Sequence, residues 1–206
     1  MQQQHASTKT ARALAPEDAL RADVYRLLAR FLSSPPGPTE LAAAARLEGD
    51  DTPFGRAIST FAHVAARSDA GAVTEEYSDL FIGLGRGEVI PYGSYYLSGF
   101  LHEKPLAKLR QEMDRLGLAR VEGVKEPEDH AASILEIMAG LIDGMPGPQA
   151  SLMQQKEFFV GHVDSWMAVF FKDVATAKSS RLYATLAEVG RIFLEIESEG
   201  FRMVSE

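Results

Sequence analysis

SLMQQKEFFVGHVDSWMAVFFKDVATA, residues 151–177, is the stretch on which the fold turns. Phe158, Phe159, Val163, Trp166, Met167, Phe170, Phe171 and Val174 recur at helical spacing and wrap more than half the circumference of the helix they predict. A helix apolar over that much of its surface belongs in the middle of a bundle, covered on several sides.

Working outward, GMPGPQ (144–149) terminates the helix before it, and KEPEDHAASILEIMAGL (125–141) begins that helix. With Pro127 as the first helical residue, Glu126, Glu128 and Asp129 fall in the first turn, where the helix dipole favours acids. Downstream, a last helix is expected from Ser180 to Gly200, with Leu182, Leu186, Val189 and Phe193 inward.

Upstream, KPLAKLRQEMDRLGL predicts a helix with Leu106, Leu109, Met113 and Leu116 buried and Gly117 as its stop. Further helices are expected at about 70–81, at 52–67 with Thr52 as cap, and at Thr39–Leu47. The first follows Pro16, with Leu20, Val24, Leu27, Leu28, Phe31 and Leu32 at helical spacing, and SSPPGP stops it. Strand-like alternation never exceeds four or five residues and nothing repeats. The expected fold is all-α, a single bundle of about eight helices over residues 15–206, behind a disordered tail at 1–14.

The 206-residue chain is 46% hydrophobic and 24% charged, a globular composition with enough length for a real core. Its net charge of −8 disfavours nucleic acid and anionic lipid, and favours a basic peptide. With no cysteine, disulfides, thiolate catalysis and Cys-ligated metals are excluded for this chain. MQQQHASTKTARAL has neither a signal-peptide core nor a twin arginine, and no apolar run is long enough to span a membrane, so cytoplasmic residence is expected.

His130 shares its spacing with Ile134, Met138 and Leu141, so it is either a satisfied core histidine or a polar group on the floor of a cleft. His130 and His162, with Asp129 and Glu136, raise the alternative of a helical metal-dependent hydrolase. The spacing argues against it: there is no His-Glu-x-x-His and no paired Glu-x-x-His. Gly83-x-Gly85-x-Gly87 follows a helix, not a strand, and is no phosphate loop. Catalytic residues, metal ligands and cofactors are therefore not assigned. The better lead is IGLGRGEVIPYGSYYLSGF (82–100), a long irregular connection. Its Tyr92, Tyr95 and Tyr96 could fill the bundle or grip a peptide.

Taken in order, EEYSDLFIG (75–83), IPYGSYY (90–96), EPEDHAASILEIM (126–138) and FFVGHVDSW (158–166) with Phe170 resemble the TorD/DmsD/NarJ family of cytoplasmic chaperones. The third box departs from the family's Glu-x-Pro-Asp-His pattern by one residue, Glu128, between the proline and the Asp-His pair, and Tyr92 stands where relatives often have tryptophan. The resemblance implies an all-helical protein that binds an apo-molybdoenzyme, often at its twin-arginine leader, until molybdenum cofactor insertion. Carried over by match, the client-binding residues are Tyr77, Leu80, Phe81, Pro91, Tyr92, Ser94, Tyr95, Glu126, Asp129 and His130. YGSYYLSGFLHEKPLAKLR (92–110) resembles chaperones of formate dehydrogenases, and trimethylamine oxide, dimethyl sulfoxide and nitrate reductases stay open as clients beside them. Family members also include weak guanine-nucleotide binders and homodimers formed by exchanging helices. A permanent subunit of an oxidoreductase complex is a further alternative.

Overall fold

The computed structural model describes residues 14–119, 126–144 and 149–204. The tail expected at 1–14 lies, but for Leu14, outside the described residues. Among the described residues ten α-helices and two π-helical turns form a bundle; no strand occurs, and a single isolated bridge pairs Tyr92 with His130. The all-α expectation holds. No helix among the described residues is long and apolar enough to cross a membrane.

Helix α1 (Pro16–Ser33) opens on Pro16 with Glu17 and Asp18 in its first turn, as the sequence predicts. Its buried face is rotated from the expected one. Ala22, Tyr25, Leu28, Ala29, Phe31 and Leu32 point inward, whereas Leu20 is exposed. Small Ala22 and Ala29 allow close approach to α7 (Ala131–Asp143), the most extensive helix pairing in the molecule. Helix α7 buries eight of its thirteen residues, including Ile134, Leu135, Met138 and Ile142.

Helices α2 (Pro38–Ala44) and α3 (Pro53–Ala65) follow, and Thr52 Oγ1 accepts the Gly55 N–H at 3.0 Å as the expected cap of α3. Helix α4 (Ala70–Tyr77) widens into a π-helical turn at Ser78–Ile82. The segment expected to be irregular contains a short helix α5 (Gly93–Ser98), ended by Gly99 in the left-handed conformation. Helix α6 (Lys104–Arg115) packs against α5 and ends near Gly117, also left-handed, as expected.

The long helix expected at 151–177 is instead split: α8 (Leu152–Phe158), a π-helical turn (Phe159–Asp164), and α9 (Met167–Thr176). The wide turn explains the sequence pattern. An extra residue per turn lets Phe158 and Phe159 both face inward, along with Val163, Trp166 and Met167. Trp166 then breaks the helix, and its indole N–H donates to the His162 carbonyl at 2.7 Å.

The longest helix is α10 (Leu182–Arg202), packed on α9 and α3. Its N-terminus is capped from a distance, the Glu76 carboxylate accepting the N–H groups of Arg181 and Tyr183 at 2.8 Å. Toward its other end, Glu197 accepts both Arg21 Nε and Nη2, at 2.7 and 2.8 Å, and the Tyr25 hydroxyl at 2.9 Å. That network ties α10 to α1. Between α9 and α10, Gly190 leaves room for the Phe171 ring.

Candidate functional site

The residues that open α7 do not start a helix where the sequence suggests. Glu126 to His130 are held in a bend and a turn, and the helix begins at Ala131 with His130 as N-cap. The cause is pairing with the α5 segment. The Ala131 N–H donates to the Pro91 carbonyl at 2.8 Å, and the Gly93 N–H donates to the Asp129 carbonyl at 2.9 Å. These backbone groups are spent on each other, so the acids do not form the first turn of α7.

Each side chain of the box has a defined position. Asp129 is buried and accepts the Ser94 N–H through Oδ2 at 2.8 Å, capping α5 from outside. Glu126 accepts the Tyr92 hydroxyl. Glu128 pairs with Arg110 of α6, at 2.8 Å from Nη2 and 3.0 Å from Nε. His130 Nδ1 accepts the Ala132 N–H at 3.2 Å, which puts the ring proton on Nε2. The Tyr92 ring stands edge-on to this imidazole, with centroids 5.1 Å apart.

Burial pulls the His130 imidazole below its ordinary pKa, against the opposing pull of Glu126 and Asp129. It is a neutral cap at pH 7. Burial, and then the Glu126 carboxylate, pushes the Tyr92 phenol up, so it remains a donor.

Tyr92, Ser94, Pro127 and Asp129 meet, with Leu101 and His102, around a hollow of about 100 Å³. Two of its lining residues also carry a buried polar atom, Ser94 Oγ and Asp129 Oδ1, with no hydrogen-bond partner in the protein. Leu101 and His102 carried no signal in the sequence. His102 is the one non-glycine residue at positive φ (61°) among the described residues, a conformation that composition does not announce. Exposed Leu97, Phe100 and Leu101 extend an apolar lip along the same turn.

The other sequence candidates stand elsewhere. Pro91 is buried and contributes its carbonyl to the α5–α7 pairing. Tyr77 is buried with its hydroxyl on the Leu32 carbonyl at 3.1 Å; Leu80 is fully buried; Phe81 packs edge-on to Tyr77 and Tyr183. None of these three lines the hollow. Tyr95 faces away from it, toward Arg86 and a second hollow. Tyr96 stacks on Trp166, and its hydroxyl donates to Asp173 at 2.9 Å. Gly93 makes this possible, because a Cβ there would meet the Trp166 indole at 3.2 Å.

His162 packs on Phe158, with burial lowering its pKa as well. Among the described residues no three His, Asp or Glu side chains converge to hold a metal ion, so His130, His162 and Asp129 do not form the centre that a metal-dependent hydrolase needs.

The chain is similar to known proteins. Residues 47–172 match the family model described as the nitrate reductase delta subunit. The chaperone protein TorD of Vibrio cholerae is 27% identical over 127 residues, 58% of each chain, so the match spans less than two thirds of that relative. A Haemophilus influenzae protein named as the Tat proofreading chaperone DmsD is 27% identical over 117 residues, 56% of this chain and 55% of that one. A crystal structure from Archaeoglobus fulgidus, assigned to redox enzyme maturation, superposes with a TM-score of 0.56 at 26% identity, over 85% of this chain and 94% of that one. With more than half its length matched by one family model, the chain belongs to the nitrate reductase delta subunit family.

Proposed function

We propose that this protein is a cytoplasmic maturation chaperone that binds the apo-form of a molybdopterin-dependent oxidoreductase through an arginine-bearing segment such as a twin-arginine leader. The observation that carries the reading is that Asp129 and Ser94, each with an unpartnered buried atom (Oδ1 and Oγ), line one hollow together with Tyr92. A buried carboxylate oxygen without a donor is costly, and an entering guanidinium removes that cost. At about 100 Å³ the hollow is smaller than the roughly 300–1,000 Å³ of sites for whole small molecules, and suits the tip of one side chain.

The neighbouring lip of Leu97, Phe100 and Leu101 offers apolar surface for the hydrophobic run that follows the arginines of a leader. The similarity to TorD and DmsD chaperones supports the same reading, in which the protein works by binding and not by catalysis.

Titration with a synthetic peptide carrying an arginine pair followed by an apolar run tests it. Asp129→Asn keeps an acceptor for the Ser94 N–H but loses the charge. It is expected to weaken binding by about 1–3 kcal/mol, roughly ten- to hundredfold. Equal affinity of wild type and variant, or no binding of any such peptide, refutes the proposal.

A further inference from the structure

A second hollow, of about 250 Å³, lies beside Tyr95 and Tyr96, with Arg86, Glu88 and Asp173 in its lining. The first hollow takes its wall from Tyr92 and Ser94, so the two share α5 as their common element. The second is not empty of chemistry. The Arg86 guanidinium carbon lies 5.3 Å from the centroid of the Tyr95 ring, and its Nη2 donates to the Tyr95 hydroxyl at 2.7 Å. The charges that line this space are two carboxylates and this one guanidinium. Tyr96 already spends its hydroxyl on Asp173, and burial followed by that carboxylate holds its phenol protonated.

The segment carrying Arg86 is pinned at both ends and open at its tip. Gly83 has φ +61°, and a Cβ there would lie 2.0 Å from the Arg86 carbonyl oxygen. At Gly87 a Cβ would lie 2.5 Å from the Leu80 carbonyl oxygen. Beyond it, the Val89 N–H donates to the Leu80 carbonyl at 2.8 Å, and Glu88 accepts the Lys178 N–H at 2.7 Å. Gly85, by contrast, has no neighbour within 4 Å of an added Cβ, and Leu84 beside it is fully exposed. Arg86 is itself exposed, and among the described residues its side chain bonds to Tyr95 alone, so it can leave without disturbing the anchors.

We propose that Arg86 is the chain's own occupant of a guanidinium position on Tyr95 at the wall of this hollow, and that an arginine of an incoming peptide binds there by displacing it from Tyr95. A planar guanidinium stacks on a tyrosine face and pairs with carboxylates, and both features are present here. The inference rests on the reading of this protein as a receptor for arginine-bearing segments, and adds a self-inhibited second subsite to it. Occupation from within lowers apparent affinity by the fraction of time Tyr95 stands uncovered. If Arg86 covers it about nine-tenths of the time, its removal tightens binding about tenfold.

The test uses N-acetyl-arginine amide, followed by NMR at the Tyr95 and Tyr92 rings, with wild type and Arg86→Ala. The expected result is a tighter titration at Tyr95 in the variant, by about tenfold, with Tyr92 unchanged. Adding Asp173→Asn to Arg86→Ala is expected to remove that gain. Unchanged or weaker binding at Tyr95 in Arg86→Ala, or a gain that survives the double substitution, overturns the proposal. Failure of the leader reading is separate, since it appears as peptide binding indifferent to Asp129→Asn.

Discussion

The carboxylate of Asp129 accepts the backbone N–H of Ser94 at 2.8 Å; the two residues line one hollow, and each keeps a buried polar atom, Asp129 Oδ1 and Ser94 Oγ, without a partner. One side chain thus serves as the N-terminal cap of α5 and as a wall of the candidate site. Asp129→Ala loses both roles. Loss of the cap is expected to lower stability by about 1 kcal/mol, read as a reduced urea midpoint. Asp129→Asn is expected to stay near the wild-type midpoint, which separates the structural role from the binding role.

Glu197 is the buried acceptor for three donors, two from Arg21 and one from Tyr25. Burial first, then the Glu197 charge, pushes the Tyr25 phenol up, so it stays a donor. Glu197→Ala leaves the buried Tyr25 hydroxyl without its partner and strips Nε and Nη2 of the largely buried Arg21 guanidinium of theirs, with only Nη1 still bonded, to Asp18 and Gln155. A loss of about 3 kcal/mol is expected, measured by equilibrium urea unfolding.

Gly190 faces the Phe171 ring so closely that an added Cβ would stand 2.5 Å from its Cζ. Gly190→Ala is expected to destabilise by about 1–3 kcal/mol through overpacking, despite alanine's better helix propensity. Phe171→Leu in the same chain should return part of that loss, so the double-variant cycle will be non-additive.

His130 is held below its ordinary pKa by burial, and its neutral Nδ1 caps α7. The unfolded chain therefore binds a proton that the folded one resists. Stability from this group is present above about pH 6.5 and is lost as pH falls below it, by at most about 1.4 kcal/mol per pH unit. His130→Asn keeps a side-chain acceptor for the Ala132 N–H but cannot titrate. Comparing urea midpoints at pH 7.5 and 5.5, the variant should show a smaller drop than wild type. Burial lowers His162 too, so part of the slope persists.

Helical class was legible because apolar spacing is a local property; Thr52, Pro16 and Gly117 announced helix ends through their own backbone chemistry. The 151–177 stretch was legible in burial and not in geometry. Its broad apolar face comes from the wide turn at Phe159–Asp164, and a 3.6-residue reading cannot distinguish that from a central helix. The start of α7 was misplaced because the Pro91 carbonyl, distant in sequence, takes the Ala131 N–H. Tyr92, Ser94, Asp129 and His130 were legible as a group through family resemblance. Leu101, His102 and Arg86 were not, since their positions depend on how α5 meets its neighbours.

The α5–α7 clasp has a practical corollary. Walls contributed by Tyr92–Ser94 and by Pro127–Asp129 coexist only once those two distant segments have come together. Whatever enters between them cannot bind the denatured chain in the same way, so occupancy must raise the melting temperature in proportion to the logarithm of ligand concentration. A panel of candidate leaders can therefore be ranked by thermal shift alone, and the natural client sought without first reconstituting any oxidoreductase.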